Sequence, residues 1–391
     1  MQDHNESGDN SGPGGAQGMR GVSSQRVLAA LAISALGAAA VNWAPAELVE
    51  DLYCKRLYPL IFHAQARLLE GLPFSVSEVG LVLLVLLLGL RAFLSVRKVV
   101  SQEVSFGALI IAALRRALWL CCIVYCCFLL LWGFHHARRP YAVHVGLQES
   151  LEQAEAADLE LELTSLCLDL AASCNSLRSS LNPHRLELVG EGARGGTDAV
   201  AAMTKFAAAT PIFHGLRPRF RVAAASRLLS RLGISGIYSP FSGDAHVNGD
   251  IPDWSQPFTA CHEMAHQLGI AAEGEANFVA WQACQSSKDA GLLYSANMVA
   301  LGLGLNALAI HESSHPAQSR RAAQIVETLS DEVRQDRHRA SVWWMEQLGV
   351  LSDLAELSND AYLRSHGQAE GVTSYSLLID LILAERRKSN T

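Results

Sequence analysis

Three apolar runs in the first third of the chain constrain its fold more than any other feature. Val27–Ala46 carries no charged residue, Val79–Val96 carries only Arg91, and Ala117–Phe134 carries none. A helix needs about 20 apolar residues to cross roughly 30 Å of hydrocarbon, and each run is close to that length. Arg91 lies near one end of its run, where a long cationic side chain can snorkel to the headgroups. Trp119 and Trp132 lie near the ends of the third run, as interfacial aromatic residues do. The expectation is a multi-pass protein of the cell membrane, with the lipid bilayer as a partner and spans at about 27–46, 79–96 and 117–134.

Charged residues make up 18% of the 391-residue chain, against about 25% in a typical soluble domain. The deficit fits lipid-facing helices. A net charge of −7 argues against a broad nucleic-acid-binding surface, so no nucleic-acid partner is expected. Residues 1–26 are rich in Gly, Ser, Asn and Gln, read as a disordered cytoplasmic tail, and lack the apolar core of a cleavable signal peptide. Arg20, Arg26, Arg91, Arg97, Lys98, Arg115 and Arg116 lie on the tail side of the spans. Lys55, Arg56, Arg67, Arg138 and Arg139 lie on the other. This bias predicts an anchor over 27–134 with the body, 135–391, outside the cytoplasm. The nine cysteines are odd in number and four crowd into 121–127, so they form no disulfide framework.

The body reads as mainly α with a small β element, an α+β composition. Helices are expected near 256–268, 274–286, 292–311, 318–347 and 374–387, and a short strand or two within 233–250.

The chemistry concentrates in Thr259–Cys284. His262-Glu263-Met264-Ala265-His266 places two imidazoles four residues apart, on one helical face, so both can reach one ion. Zinc accepts neutral histidine nitrogens, and a carboxylate in the position of Glu263 can take a proton from zinc-bound water. The pattern recurs as His311-Glu312-Ser313-Ser314-His315, but Pro316 follows directly and pushes His315 out of the helical region. A catalytic zinc needs a third protein ligand. Gly269 can end the first helix, and Glu273 or Glu275 on the next can swing back. These two lie about 200° apart around a helix, so only one points inward. Glu273 is favoured, with Asn277 one turn later to hold it from behind, and Glu275 is the alternative. Tyr238, His246, Asn248 and Tyr375 are candidate substrate or oxyanion contacts, with Tyr294 and Tyr362 as further oxyanion donors. Ile237–Asn248 is a candidate strand for pairing with substrate.

These residues resemble the gluzincin metallopeptidases, in which HExxH precedes a helix opening Glu-x-x-Ala-Asn or Asp. More closely, the chain resembles the bacterial domain-of-unknown-function family thirty-eight ten. The likeness runs through Gly236-Ile237-Tyr238, Pro240-Phe241-Ser242-Gly243, Pro257-Phe258-Thr259 and the HExxHQxG helix. It continues in Glu273-x-Glu275-Ala276-Asn277-Phe278, Tyr294-Ser295, Tyr362-Leu363 and Gly371-Val372-x-Ser374-Tyr375. The resemblance implies three spans followed by a mostly helical zincin-like domain. Two features depart from it. Asp244-Ala245-His246-Val247-Asn248 stands where a Glu-Ala-Asn-Val-Asn pattern is expected, and six residues separate His266 from Glu273, fewer than in most gluzincins.

The expected function is hydrolysis of a peptide or protein substrate by a membrane-anchored enzyme holding one Zn²⁺ through His262, His266 and Glu273, with Glu263 as base. The alternative is a non-catalytic, metal-stabilised sensor or scaffold that binds a peptide or envelope partner; metal binding alone does not require Glu263. A transporter requires polar groups within the spans, and these offer only Asn42 and Arg91.

Overall fold

The computed structural model describes residues 22–69, 71–101, 105–152, 158–181, 195–213, 215–314, 320–365 and 377–390. The tail up to residue 21, residues 182–194 and the segment holding Tyr375 lie outside them. Among the described residues the chain is mainly helical with one three-stranded sheet.

Four helices among the described residues are long and apolar enough to cross a membrane: Ser24–Trp43, Val76–Lys98, Phe106–Leu131 and Ala290–Ser313. In the first three only 11%, 0% and 11% of the apolar window is buried, as expected of helices that face lipid, whereas the fourth is 56% buried and belongs to a protein core. We label the first three α1 (Ser24–Trp43), α3 (Val76–Val100) and α4 (Phe106–Leu131), with α2 (Tyr58–Leu69) between α1 and α3.

The chain forms two compact units, one of residues up to Gly37 with Leu88–Cys126, the other of Ala38–Leu87 with Cys127–Thr391. In the first, the Ser34 hydroxyl on α1 reaches the Cys122 carbonyl on α4 at 3.4 Å. The second brings residues on both sides of position 135 into one unit. Val49, Tyr53, Tyr58, Phe62 and Trp132 all belong to the same buried core as the helix carrying the HExxH residues. Trp132 is therefore no interfacial anchor: helix α4 ends at Leu131, and the indole is 5% exposed within protein.

The second unit continues with α5 (Leu159–Ser180), α6 (Gly195–Ala209), α7 (Gln256–Gln267), α8 (Glu273–Gln285), α9 (Ala290–Ser314), α10 (Asp331–Gln347), α11 (Val350–Ser365) and α12 (Leu377–Asn390). The strands are β1 (Phe220–Val222), β2 (Gly236–Ser239) and β3 (Asp244–Val247), in the order β1-β3-β2. β1 pairs parallel and β2 antiparallel with β3, which leaves β2 at an edge. The β2–β3 turn closes at Gly243, whose φ of +68° is readily adopted only by glycine.

α7 lies at the centre, packed against α6, α8, α9 and the sheet. Every residue of α7 is buried except His262. The predicted helix over 318–347 is two helices, because Ser330 caps α10 by accepting the Val333 N–H and so ends the preceding turn. Helix α11 was absent from the sequence expectation.

Candidate functional site

Local sequence sets the geometry of α7. Pro257 occupies its first turn, where no intrahelical N–H is needed. At the other end, Ile270 N–H donates to Ala265 O and Gly269 N–H to His266 O, with Gly269 at φ +87°. This paired pattern is the Schellman turn. It carries the Ile270 carbonyl back to His266, whose Nδ1–H donates to it at 2.7 Å. That bond leaves Nε2 of His266 facing His262 and Glu273. The chain then re-enters helix at once, and Glu273 is the first residue of α8.

The three expected ligands converge. His262 Nε2 and His266 Nε2 are 3.0 Å apart, and the Glu273 oxygens lie 3.2 Å from the first and 3.7 Å from the second. All three donor atoms fall within 4.8 Å of one another. Burial lowers the His266 pKa, but the Glu273 carboxylate outweighs it and raises the imidazole to about 9. Burial likewise raises Glu273, and His266 and His262 outweigh it, holding the carboxyl well below its usual range. Two imidazoles and one carboxylate crowded around one point suit a divalent cation, and two nitrogens with one oxygen form a donor set that fits zinc.

Glu263 is buried beside this cluster. Burial pushes its carboxyl up to about 7, against the pull of His262 and His266. A Cβ built on Gly236 would sit 2.5 Å from Glu263 Oε1, so the edge strand β2 passes directly over the carboxylate. A cavity of about 640 Å³ opens between β2, α7, α8 and α11, lined by His262, Glu263, Glu273 and Asn277. Its far wall is apolar, with Val299, Leu303, Trp344 and Leu348.

The other expected residues divide. Glu275 points away and accepts the Tyr141 N–H at 2.6 Å, so it does not join the cluster. Asn277 lines the cavity with Glu273. Tyr238 lies on the same strand face as Gly236, its hydroxyl 3.4 Å from that of Tyr58. His246 is a correction: it pairs with Ile237, on the opposite face of the sheet, and its Nε2 lies 2.8 Å from Ser75 Oγ. Asn248 is also spent elsewhere, bonding Ser230 Oγ and Ile234 O from its amide. Tyr294 donates to Asp336 at 2.7 Å. The Tyr362 side chain and Tyr375 lie outside what is described. Cys261 packs against Cys284, with sulfurs 3.7 Å apart.

Three side chains missed by sequence reading hold the C-terminal carbonyls of the HExxH segment. Trp132 Nε1–H donates to His266 O at 3.0 Å, Tyr58 Oη–H to Gln267 O at 2.6 Å, and Arg138 to Gly269 O at 2.8 Å. A helix end leaves carbonyls short of intrahelical partners; the Tyr58 and Arg138 bonds satisfy Gln267 O and Gly269 O, and the Trp132 bond adds a second donor to His266 O beside the Gly269 N–H. Arg138 is itself fixed by buried Glu50 at 2.9 Å. Gly269 is required here as well, since a Cβ would meet the His135 ring at 2.4 Å.

Burial raises the Glu275 pKa to about 7. A carboxyl raised above its unfolded value stabilises the fold when protonated; that stability is present below the ordinary carboxylate range and is lost as pH rises through about 7. Glu275→Gln keeps an acceptor for Tyr141 and removes the buried charge. Thermal unfolding is expected to show the variant ~1–3 kcal/mol more stable than the parent at pH 9 and little changed at pH 5. Destabilisation at pH 9 would contradict this account of Glu275.

A family model described as a protein of unknown function (DUF3810) matches residues 53–383. No curated protein and no solved structure matches the chain.

Proposed function

The chain belongs to this family of proteins of unknown function, and we propose that it is a membrane-anchored, zinc-dependent peptidase. The observation that carries the reading is the convergence of His262, His266 and Glu273 beside a buried carboxylate whose pKa lies near neutrality. A zinc ion held there would polarise the scissile carbonyl and make its bound water acidic enough to ionise near pH 7. Glu263, with a pKa near 7, is suited to accept a proton from the attacking water and return it to the leaving nitrogen.

The free edge of β2 supports an extended peptide as substrate. Asn248 N–H donates to Ser235 O, so the residues facing β3 alternate from Ser235. That alternation leaves the backbone N–H and C=O of Gly236 and Tyr238 at the open edge, beside Glu263. Val299, Leu303, Trp344 and Leu348 would receive an apolar side chain of that peptide. Three lipid-facing spans would anchor the enzyme, and the excess of basic residues on the tail side supports a body outside the cytoplasm. A reporter fused after Thr391 tests that side; activity of a cytoplasm-only reporter would reverse it.

The reading is tested by hydrolysis of a peptide library by the purified full chain, with loss on chelation and recovery on adding zinc. No cleavage by zinc-loaded protein would sink it. Gly236→Ala probes the geometry, because its Cβ would displace the Glu263 carboxylate. The expected result is about 10²-fold slower cleavage with zinc content unchanged. Full activity in the variant would show that β2 does not position Glu263.

A further inference from the structure

Helices α3 and α4 gather four cations around one cavity. Arg91, Ser95 and Lys98 follow one another at helical spacing on one face of α3. With Arg97 and Ser101, and with Arg116 of α4, they line a cavity of about 470 Å³. No carboxylate among the described residues lines it. None of the four cations forms an ion pair with a described carboxylate.

Arg97 and Lys98 lie in the last turn of α3, where the helix dipole favours a cation. Arg91 and Arg116 have no such explanation. Apolar Ala92-Phe93-Leu94 follows Arg91, and the apolar segment Gly107–Leu114 precedes the Arg115-Arg116 pair. A cation flanked on both sides by lipid-soluble sequence snorkels to the headgroup level or meets an anion at its own depth, and a phospholipid phosphate satisfies both. Guanidinium groups bind phosphate oxygens in pairs, through a fork that matches their geometry.

We propose that Arg91, Arg97, Lys98 and Arg116 form a binding site for the phosphate of an anionic phospholipid. The proposal rests on reading α3 and α4 as membrane spans and is independent of the zinc site. The headgroup bridges the two helices, and its acyl chains follow their apolar surfaces.

Native mass spectrometry of the full chain, released from phosphatidylcholine micelles doped with phosphatidylglycerol, tests it. The parent is expected to retain phosphatidylglycerol in preference to phosphatidylcholine. Arg91→Gln/Arg116→Gln should lower that retention about fivefold for each cation removed, the scale of one basic residue at an anionic surface. Lys55→Gln/Arg56→Gln, outside the cavity, should retain the lipid as the parent does. No preference in the parent overturns the proposal. An equal loss in the Lys55/Arg56 variant also overturns it. Displacement of the lipid by excess inorganic phosphate overturns the lipid as occupant and supports a site for soluble phosphate. Alkaline carbonate extraction separates the two premises. Release of the chain refutes the membrane spans, whereas retention with no lipid preference refutes the site alone.

Discussion

Glu263→Gln is expected to leave the full chain folded and loaded with zinc while slowing peptide cleavage about 10³-fold, within the range for losing a positioned general base. The substitution keeps size and hydrogen-bonding shape but cannot hold the transferred proton. Glu263 stands beside the three-ligand cluster rather than in it, so metal content should not fall. Its carboxyl is buried and lines the cavity with His262 and Glu273, where a general base is needed. Nothing in the fold requires the charge, because desolvation of the carboxylate opposes folding. Unchanged cleavage in this variant, measured beside zinc content, would remove the enzymatic reading and favour the scaffold.

A body cut free at residue 135 is expected not to fold and not to hold zinc, although residues 135–391 contain every proposed ligand. The cut removes Trp132 and Tyr58, which cap the carbonyls of His266 and Gln267, and Glu50, which fixes Arg138 against Gly269. It also strips Val49, Tyr53 and Phe62 from the core. Gln267 O loses its Tyr58 donor at about 1–3 kcal/mol, and His266 O keeps the Gly269 N–H but loses the indole; with the core side chains stripped as well, the loss approaches the whole stability of a typical domain. Proton NMR dispersion and zinc content of the fragment check this. A folded, zinc-binding fragment would show that the first loop and the end of α4 are dispensable. Trp132→Phe in the full chain isolates one bond, with an expected destabilisation of about 0.5–1.5 kcal/mol, since His266 O keeps the Gly269 N–H.

The part of the site written in short-range pattern was legible in the sequence. The i, i+4 histidines, Gly269 as the helix stop and Glu273 at the start of the next helix all follow from helix geometry and capping. Of the two first-turn acids, Glu273 turns toward the histidines and Glu275 turns to Tyr141, as their separation around the helix requires. What stayed hidden depends on contacts between residues far apart in the chain. Trp132 at the end of an apolar run has the composition of an interfacial anchor, and only folding reveals that its indole meets the His266 carbonyl. His246 drew attention because it departs from the family pattern. The two-residue period of a strand puts it opposite the Gly236 face, but the turn at Gly243 had to be known first. β1, three residues long, carries too little pattern to be seen.

Zinc K-edge X-ray absorption on the purified full chain tests the central claim most directly. The account predicts one zinc per chain with two imidazole nitrogens and carboxylate oxygen at about 2.0–2.2 Å, and no sulfur shell. It also predicts that the metal is lost in His266→Ala. Equal zinc content in the parent and His266→Ala, or a first shell containing sulfur, would contradict it.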